Sequence, residues 1–244
     1  DHRDLHSFPT RRSSDLKLRG INPVQVSIKR LDELEVQFES QDIGVKGTIT
    51  DIEDIRDCHN PYDSFALHKA ALIACGIIPL EGEIELKDIL RKLGGGIYLS
   101  TQVVDVPKGS GLGTSSILSA ACIKAIFKFL GEDISNDRIS DIVLCMEQIM
   151  STGGGWQDQV GGLTNGIKFI TSAPGIHQEL KIESVKMKEE AKSEFKERFA
   201  LIYTGQRRLA RNLLRDVISG YIGARPESIA ALNEMEKIAV LMKY

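Results

Sequence analysis

The segment that most constrains this chain is Gly109-Ser110-Gly111-Leu112-Gly113-Thr114-Ser115-Ser116. It lies between two runs of different period. Ile97 to Val106 alternates apolar and polar residues, which predicts a strand. After residue 114, Leu118, Ala121, Cys122, Ala125, Ile126 and Phe129 recur at helical spacing. A strand must therefore turn through glycines straight into a helix. Three glycines let backbone N–H groups approach a ligand closely. The helix start adds unpaired donors and the positive end of its dipole, and the hydroxyls of 114–116 add oxygen ligands. The pattern describes an anion cradle, suited to phosphate. It lacks the Gly-Lys-Ser/Thr ending of a Walker loop and the glycine spacing of a dinucleotide fingerprint. The competing reading is a glycine-rich turn with a capping serine.

The flanking sequence predicts an α+β chain rather than a wholly parallel sheet. Residues 23–31 (Val24, Val26, Ile28), 34–39 (Leu34, Val36, Phe38) and 43–49 read as a half-buried, largely antiparallel set of strands. Ser64 is expected to cap a helix that runs to Gly76, and a short helix over Leu86 to Leu93 ends at Gly94-Gly95-Gly96. Ser135 opens another helix, with Ile139, Ile142, Val143, Met146 and Ile149 inward. Strands are expected at 167–171 and 176–182. Lys186–Arg198 is charged, a solvated helix or a linker, and marks the expected domain boundary. Phe199–Tyr203 reads as a buried strand, followed by helices through Leu209, Leu213, Val217 and Tyr221 and from Pro226 onward.

Charge and cysteine content exclude several classes. Of 244 residues, 31 are Lys or Arg and 34 are Asp or Glu, a net charge of −3 that gives no electrostatic footprint for nucleic acid. The longest apolar run, Ile117 to Leu130, is interrupted by Lys124 and Lys128 and is too short to cross a membrane. Cys58, Cys75, Cys122 and Cys145 form no CxxC pair and no zinc spacing. They read as buried, reduced thiols, and with no secretory leader in view the expected location is cytoplasmic.

A second polar, glycine-rich stretch is Thr152-Gly153-Gly154-Gly155-Trp156-Gln157-Asp158-Gln159-Val160-Gly161-Gly162. A carboxylate in such a loop is suited to positioning a hydroxyl nucleophile, because phosphoryl transfer needs alignment and charge neutralisation above all. Asp158 is the candidate; its other reading is a loop-capping acid. Glu147 sits near the end of a helix, where a carboxylate opposes the dipole, which hints at a cationic partner. Trp156 suits either a sugar face or a core anchor. Arg207, Arg208 and Arg211 lie at a helix start within reach of phosphate, or simply face solvent.

These residues carry a resemblance. Pro107 to Ser116 resembles the second signature of the GHMP kinase superfamily, and Gly-Gly-Gly-Trp-Gln-Asp-Gln-x-Gly-Gly resembles the narrower L-fucokinase group, including kinase halves fused to a GDP-fucose pyrophosphorylase. Further likeness lies in Asn22–Val26, Lys69–Leu72, Gly166–Lys168 and Tyr203–Ala210. The resemblance implies an ATP and Mg²⁺ site. Its phosphate loop would be Pro107, Lys108, Gly109, Ser110, Gly111, Leu112, Gly113, Thr114, Ser115 and Ser116. Ser115 and Glu147 would hold the metal, Asp158 would be catalytic, and Gly154, Gly155, Trp156 and Gln157 would line the sugar pocket. It implies phosphorylation of the anomeric hydroxyl of L-fucose. Another sugar kinase of the superfamily, such as a heptose kinase, and a non-catalytic sugar or nucleotide sensor are the alternatives. The partners implied are the sugar and ATP, with a fused pyrophosphorylase left open.

The implied fold is a GHMP kinase fold. A two-layer N-terminal ATP-binding domain, like the second domain of a small-subunit ribosomal protein, is expected over 17–185. The start of a ferredoxin-like C-terminal domain is expected over 186–244. Residues 1–16 resemble a translated sequencing adaptor and are expected to be non-native. The superfamily's N-terminal sugar-binding signature and its C-terminal glycine-rich signature are not found, so the 244-residue chain is expected to be a fragment with little or no activity of its own.

Overall fold

The computed structural model describes residues 22–60, 62–106, 111–150, 154–175, 179–200, 202 and 210–243. The chain divides into two compact units, 1–164 and 165–244.

The first unit is built on a four-stranded sheet. Its strands are β1 (Val24–Leu31), β2 (Val36–Ser40), β3 (Val45–Ile49) and β4 (Gly96–Val103), in the order β1-β4-β2-β3. The alternation read from the sequence holds, but the pairing differs from a simple antiparallel set. β4 inserts between β1 and β2, antiparallel to β1 and parallel to β2. The insertion depends on Gly96. A Cβ there would collide with the carbonyl oxygens of Glu33 and Glu35 in the short β1–β2 connection. One face of the sheet is apolar: Val26, Ile28, Val36, Phe38, Ile97 and Leu99 are all at most 1% exposed. The edge of each strand pair is thus tied to its neighbour by burial as well as by the ladder.

Helices cover that face. After β3 come α1 (Ile52–Arg56), α2 (Ala66–Ala74) and α3 (Leu86–Leu93); after β4 come α4 (Thr114–Phe129), α5 (Asn136–Ile149) and α6 (Gln157–Leu163). α4 packs on β1, and α5 packs on both α2 and α4. Ala120, Ala121, Cys122, Ile123, Ala125 and Ile126 of α4 meet Ile139, Val143 and Met146 of α5 in one continuous core. Small residues on α4 let the helices approach closely. Ser135 caps α5 as expected, its hydroxyl accepting from the Arg138 N–H. Ser64 does not cap α2. The N-cap is Phe65 and carries no side-chain cap; the Asp63 carboxylate shapes the preceding turn, accepting from the Phe65 N–H and pairing with Lys69 at 2.6 Å.

The second unit holds a hairpin, β5 (Lys168–Ser172) with β6 (Leu180–Ser184), then α7 (Glu189–Arg198), α8 (Ala210–Ile222) and α9 (Pro226–Lys243). The unit begins at Asn165, not at Lys186. The charged segment is a helix rather than a linker, and Lys192, Phe195 and Lys196 of α7 line a cavity of about 530 Å³ with Gly166, Ile167 and Val185 of the hairpin. Lys243 of α9 pairs with Glu183 of β6 at 2.8 Å and lies over the Phe169 ring. The buried strand expected over 199–203 is not found in its described part. Phe199 ends α7 at 60% exposure, stacked on Phe195, and Ile202 is 82% exposed. Residues 201 and 203 lie outside the described residues.

Among the described residues no helix is long and apolar enough to cross a membrane. All four cysteines are free. Cys58 and Cys122 are buried and Cys75 is half-buried, but Cys145 is exposed on the outer face of α5, against expectation. Burial pushes the Cys75 thiol up to about 12, which leaves it inert.

Candidate active site

The site forms where the N-terminus of α4, the C-terminal turn of α5 and the first turn of α6 meet, all within the first unit. α4 opens on Gly113, whose φ of +64° is the left-handed conformation open to glycine at little cost. Among the described residues no side chain caps this helix start, an arrangement that suits binding of an anion by the first-turn N–H groups. Gly111 also has a positive φ, and Leu112 is exposed between the two glycines. Thr114 is half-buried and Ser115 is exposed in the first turn. Pro107, Lys108, Gly109 and Ser110, the first part of the expected phosphate loop, lie outside the described residues.

Asp158 is brought to this loop. A Cβ on Gly113 would stand 3.3 Å from both Cβ and Cγ of Asp158. The carboxylate is exposed, so it faces a space a reactant can enter. Forty-five positions of sequence separate the two residues, and the packing of α6 on α4 closes that gap. Gly162 allows the packing: a Cβ there would lie 2.7 Å from Ile117 Cγ1.

Glu147 arrives from α5 and is 7% exposed. Ser116 Oγ, itself buried, donates to its Oε1 at 2.6 Å. Burial raises the Glu147 carboxyl above the ordinary glutamate value; the Ser116 hydrogen bond opposes this and the nearby Asp158 charge reinforces it. Gly154 completes the seat, since a Cβ on it would overlap the Glu147 carboxylate. Two acids and a hydroxyl from three elements therefore share one small volume.

The structure thus joins Gly113, Ser116, Glu147, Gly154 and Asp158. It puts Ser116, not Ser115, against Glu147. Sequence reading placed Ser116 only in the phosphate loop. The one signal for its burial is that Ser116, Ser119, Ala120 and Ile123 lie on a single α4 face. Of the expected sugar-pocket residues, Trp156 is half-buried at the N-cap of α6, while Gly155 and Gln157 are exposed beside Asp158. Thr152 and Gly153, together with Arg207 and Arg208, lie outside the described residues, as does the Arg211 side chain. Gln159, not singled out from the sequence, is completely buried.

The donor set suits a hard divalent cation. Mg²⁺ is commonly held by one or two carboxylates with phosphate oxygens and waters filling the remainder. A carboxylate raised by burial and by a second acid, at a helix C-terminus, is the environment that a cation relieves.

Residues 84–166 match the GHMP kinases N terminal domain. Over 224 residues, 92% of the chain, the sequence is 35% identical to an Arabidopsis thaliana protein named bifunctional fucokinase/GDP-fucose pyrophosphorylase, and covers 20% of it. It is 31% identical over 230 residues, 93% of the chain, to a Bacteroides fragilis protein named L-fucokinase/L-fucose-1-P guanylyltransferase, and covers 24% of it. The chain therefore spans between a fifth and a quarter of the length of these curated relatives. In fold it is similar to the mevalonate kinase of Methanococcus jannaschii, with a TM-score of 0.54 at 16% identity, over 88% of this chain and 62% of that one.

Proposed function

We propose, from a chain that carries the N-terminal domain of the GHMP kinases, that it is the nucleotide-binding and catalytic part of an ATP-dependent carbohydrate kinase. The acceptor we infer is the anomeric hydroxyl of L-fucose and the product L-fucose 1-phosphate. The observation that carries the reaction type is the seating of the exposed Asp158 carboxylate against Gly113 at the open start of α4. An acid at the mouth of an anion cradle can align a hydroxyl with a bound phosphate. The sugar rests on the likeness to the two fucokinase-named relatives.

In this reading the first turn of α4 and residues 108–113 would hold the ATP phosphates by backbone N–H groups, with Pro107 leading into the loop. Bound Mg²⁺ would offset the charge that develops on the transferring phosphoryl group. Glu147 would be its carboxylate ligand, and Ser115, exposed in the first turn, its hydroxyl ligand. Ser116 has a separate task, fixing the rotamer of Glu147. Asp158 orients the sugar hydroxyl and accepts its proton as the new O–P bond forms to the γ-phosphorus and its bond to the ADP oxygen breaks, with ADP as leaving group. Gly154, Gly155, Trp156 and Gln157 line the sugar side; Trp156, half-buried, offers one ring face. Free cysteines support a reducing, cytoplasmic setting. The double names of the relatives support a fused activity that consumes the sugar 1-phosphate.

The test is ADP release by protein expressed from the complete gene. L-Fucose, D-galactose, D-arabinose and a D-glycero-D-manno-heptose derivative are compared, beside Asp158→Asn. Turnover with L-fucose that collapses in the variant is the expected result. Preference for another sugar would overturn the substrate assignment, and nucleotide binding without turnover on any sugar would overturn the kinase reading.

A further inference from the structure

Gln159 is 0% exposed, and among the described residues neither its Nε2 nor its Oε1 has a hydrogen-bond partner. Burying an amide without partners is costly, and such groups are rare in folded proteins. No account of the core requires it, since Val160 and Leu163 on the same helix face are apolar. An orphaned amide of this kind points to a partner that arrives in another state of the site.

Helical register says where that partner comes from. Along α6, Asp158 meets Gly113 and Gly162 meets Ile117, so the arc through 158 and 162 faces α4. Leu163, 100° round from Gly162, packs in the buried core, and the end of α6 meets the start of α5 where Asn136 Nδ2 donates to the Leu163 carbonyl. Position 159 falls between these arcs at 100° per residue. α6 packs against both helices, and its beginning lies at the Glu147 end of α5, as the Gly154–Glu147 contact shows. Position 159 therefore faces the seam between α4 and α5, on a helix whose start lies beside Glu147.

The chemistry of the Ser116–Glu147 hydrogen bond matches the amide. Ser116 donates and Glu147 accepts. A primary amide inserted between them accepts from the serine at Oε1 and donates to the carboxylate from Nε2, leaving no group unpaired. We propose that Gln159 is a positioning residue for the cation seat. When the Glu147 carboxylate turns to a divalent cation, Gln159 bridges Ser116 and Glu147 and holds the carboxylate in its liganding orientation. Support of this kind behind a metal ligand is worth 10–100-fold in metal affinity in other proteins. The inference rests on the cation site proposed above and goes beyond it in naming what steadies that site.

The experiment uses the 244-residue chain and Gln159→Met, which keeps the volume and removes the polar atoms. Mn²⁺ affinity is measured by electron paramagnetic resonance with a non-hydrolysable ATP analogue, and Tm is measured without metal or nucleotide. The expected result is a Tm raised by a few degrees, because an orphaned amide has gone, together with Mn²⁺ binding weakened by about 10-fold or more. The Gln159 side-chain amide protons, identified by their loss in Gln159→Met, should also move downfield when Mg²⁺ and the analogue are added to the unsubstituted chain. A lowered Tm makes Gln159 a structural residue and overturns the inference. So does unchanged Mn²⁺ affinity, or an amide resonance that does not move, and either of these leaves the kinase reading intact. No Mn²⁺ binding by the unsubstituted chain with the analogue removes the cation site itself, and the inference with it.

Discussion

The end of α5 and the start of α6 each deliver one acid to the same site, in opposite surroundings. Glu147 is buried, hydrogen-bonded by Ser116 and enclosed by Gly154. Asp158 is exposed and lies against a glycine at a helix start. Burial with a second acid nearby holds the Glu147 carboxyl above its ordinary range, which favours a cation as its partner. Exposure leaves Asp158 reachable by a substrate hydroxyl. On the proposed function, two residues of one charge type are divided into a metal seat and a reacting group by what packs around them, as happens where one site separates the tasks of two carboxylates.

The sharpest way to break this contrast is to neutralise each acid in turn. In the complete gene product, Asp158→Asn should lower kcat by about 10²–10⁴-fold, the range of a positioned general base, with little change in the KM for ATP. Initial rates over an ATP series check this. An equal loss in affinity for ATP would place Asp158 on the nucleotide and erase the division of roles.

The glycines test whether the two seats are separable. Gly154→Ala drives a methyl group into the Glu147 carboxylate. The expected cost is about 1–3 kcal/mol, as for overpacking, seen as a lower midpoint in urea unfolding, with weakened Mn²⁺ binding in the same preparation. Gly113→Ala disturbs the other seat. Its φ of +64° costs an L-residue about 1–2 kcal/mol, and Asp158 at 3.3 Å must give way by a few tenths of an ångström. Here kcat should fall more than Mn²⁺ affinity does. If both variants reduce both quantities alike, the site is one rigid unit rather than two seats.

Much of this arrangement was legible in the sequence, and the parts that were not share a cause. Periods of 2 and 3.6 located β1 to β4 and α2 to α5, and the two glycine-rich loops located Asp158 and the start of α4. Local patterns carry that information because each element must bury one face. Insertion of β4 between β1 and β2 was hidden, since it depends on the fit of Gly96 beneath Glu33 and Glu35, residues some sixty positions away. The same holds for Ser116 with Glu147, which the packing of α4 on α5 decides. Ser64 does not cap α2 because the helix starts one residue later, at the N-cap Phe65, behind a turn held by Asp63. Phe199 and Ile202 looked like a buried strand by composition, yet both are exposed, because burial is decided by packing and not by local composition.

The smallest effect is also the one that reads the buried acid directly. The folded carboxyl of Glu147 lies above its unfolded value, so between those two values the native state binds more protons than the unfolded one. Stability from this group is then fully present below the unfolded value and is lost as pH rises through the folded one. Glu147→Gln keeps the size and can still accept from Ser116. In the absence of metal it should raise Tm at pH 7 by no more than a few degrees. That advantage should shrink steadily as the pH is lowered toward the ordinary glutamate range, where the native residue is neutral as well. Saturating Mg²⁺ with the ATP analogue should reverse the order, because only the carboxylate gains from the cation. Thermal melts of the two proteins across pH, with and without metal and nucleotide, make the comparison. A Tm difference that ignores pH would show that burial does not govern Glu147, and the contrast with Asp158 would then rest on geometry alone.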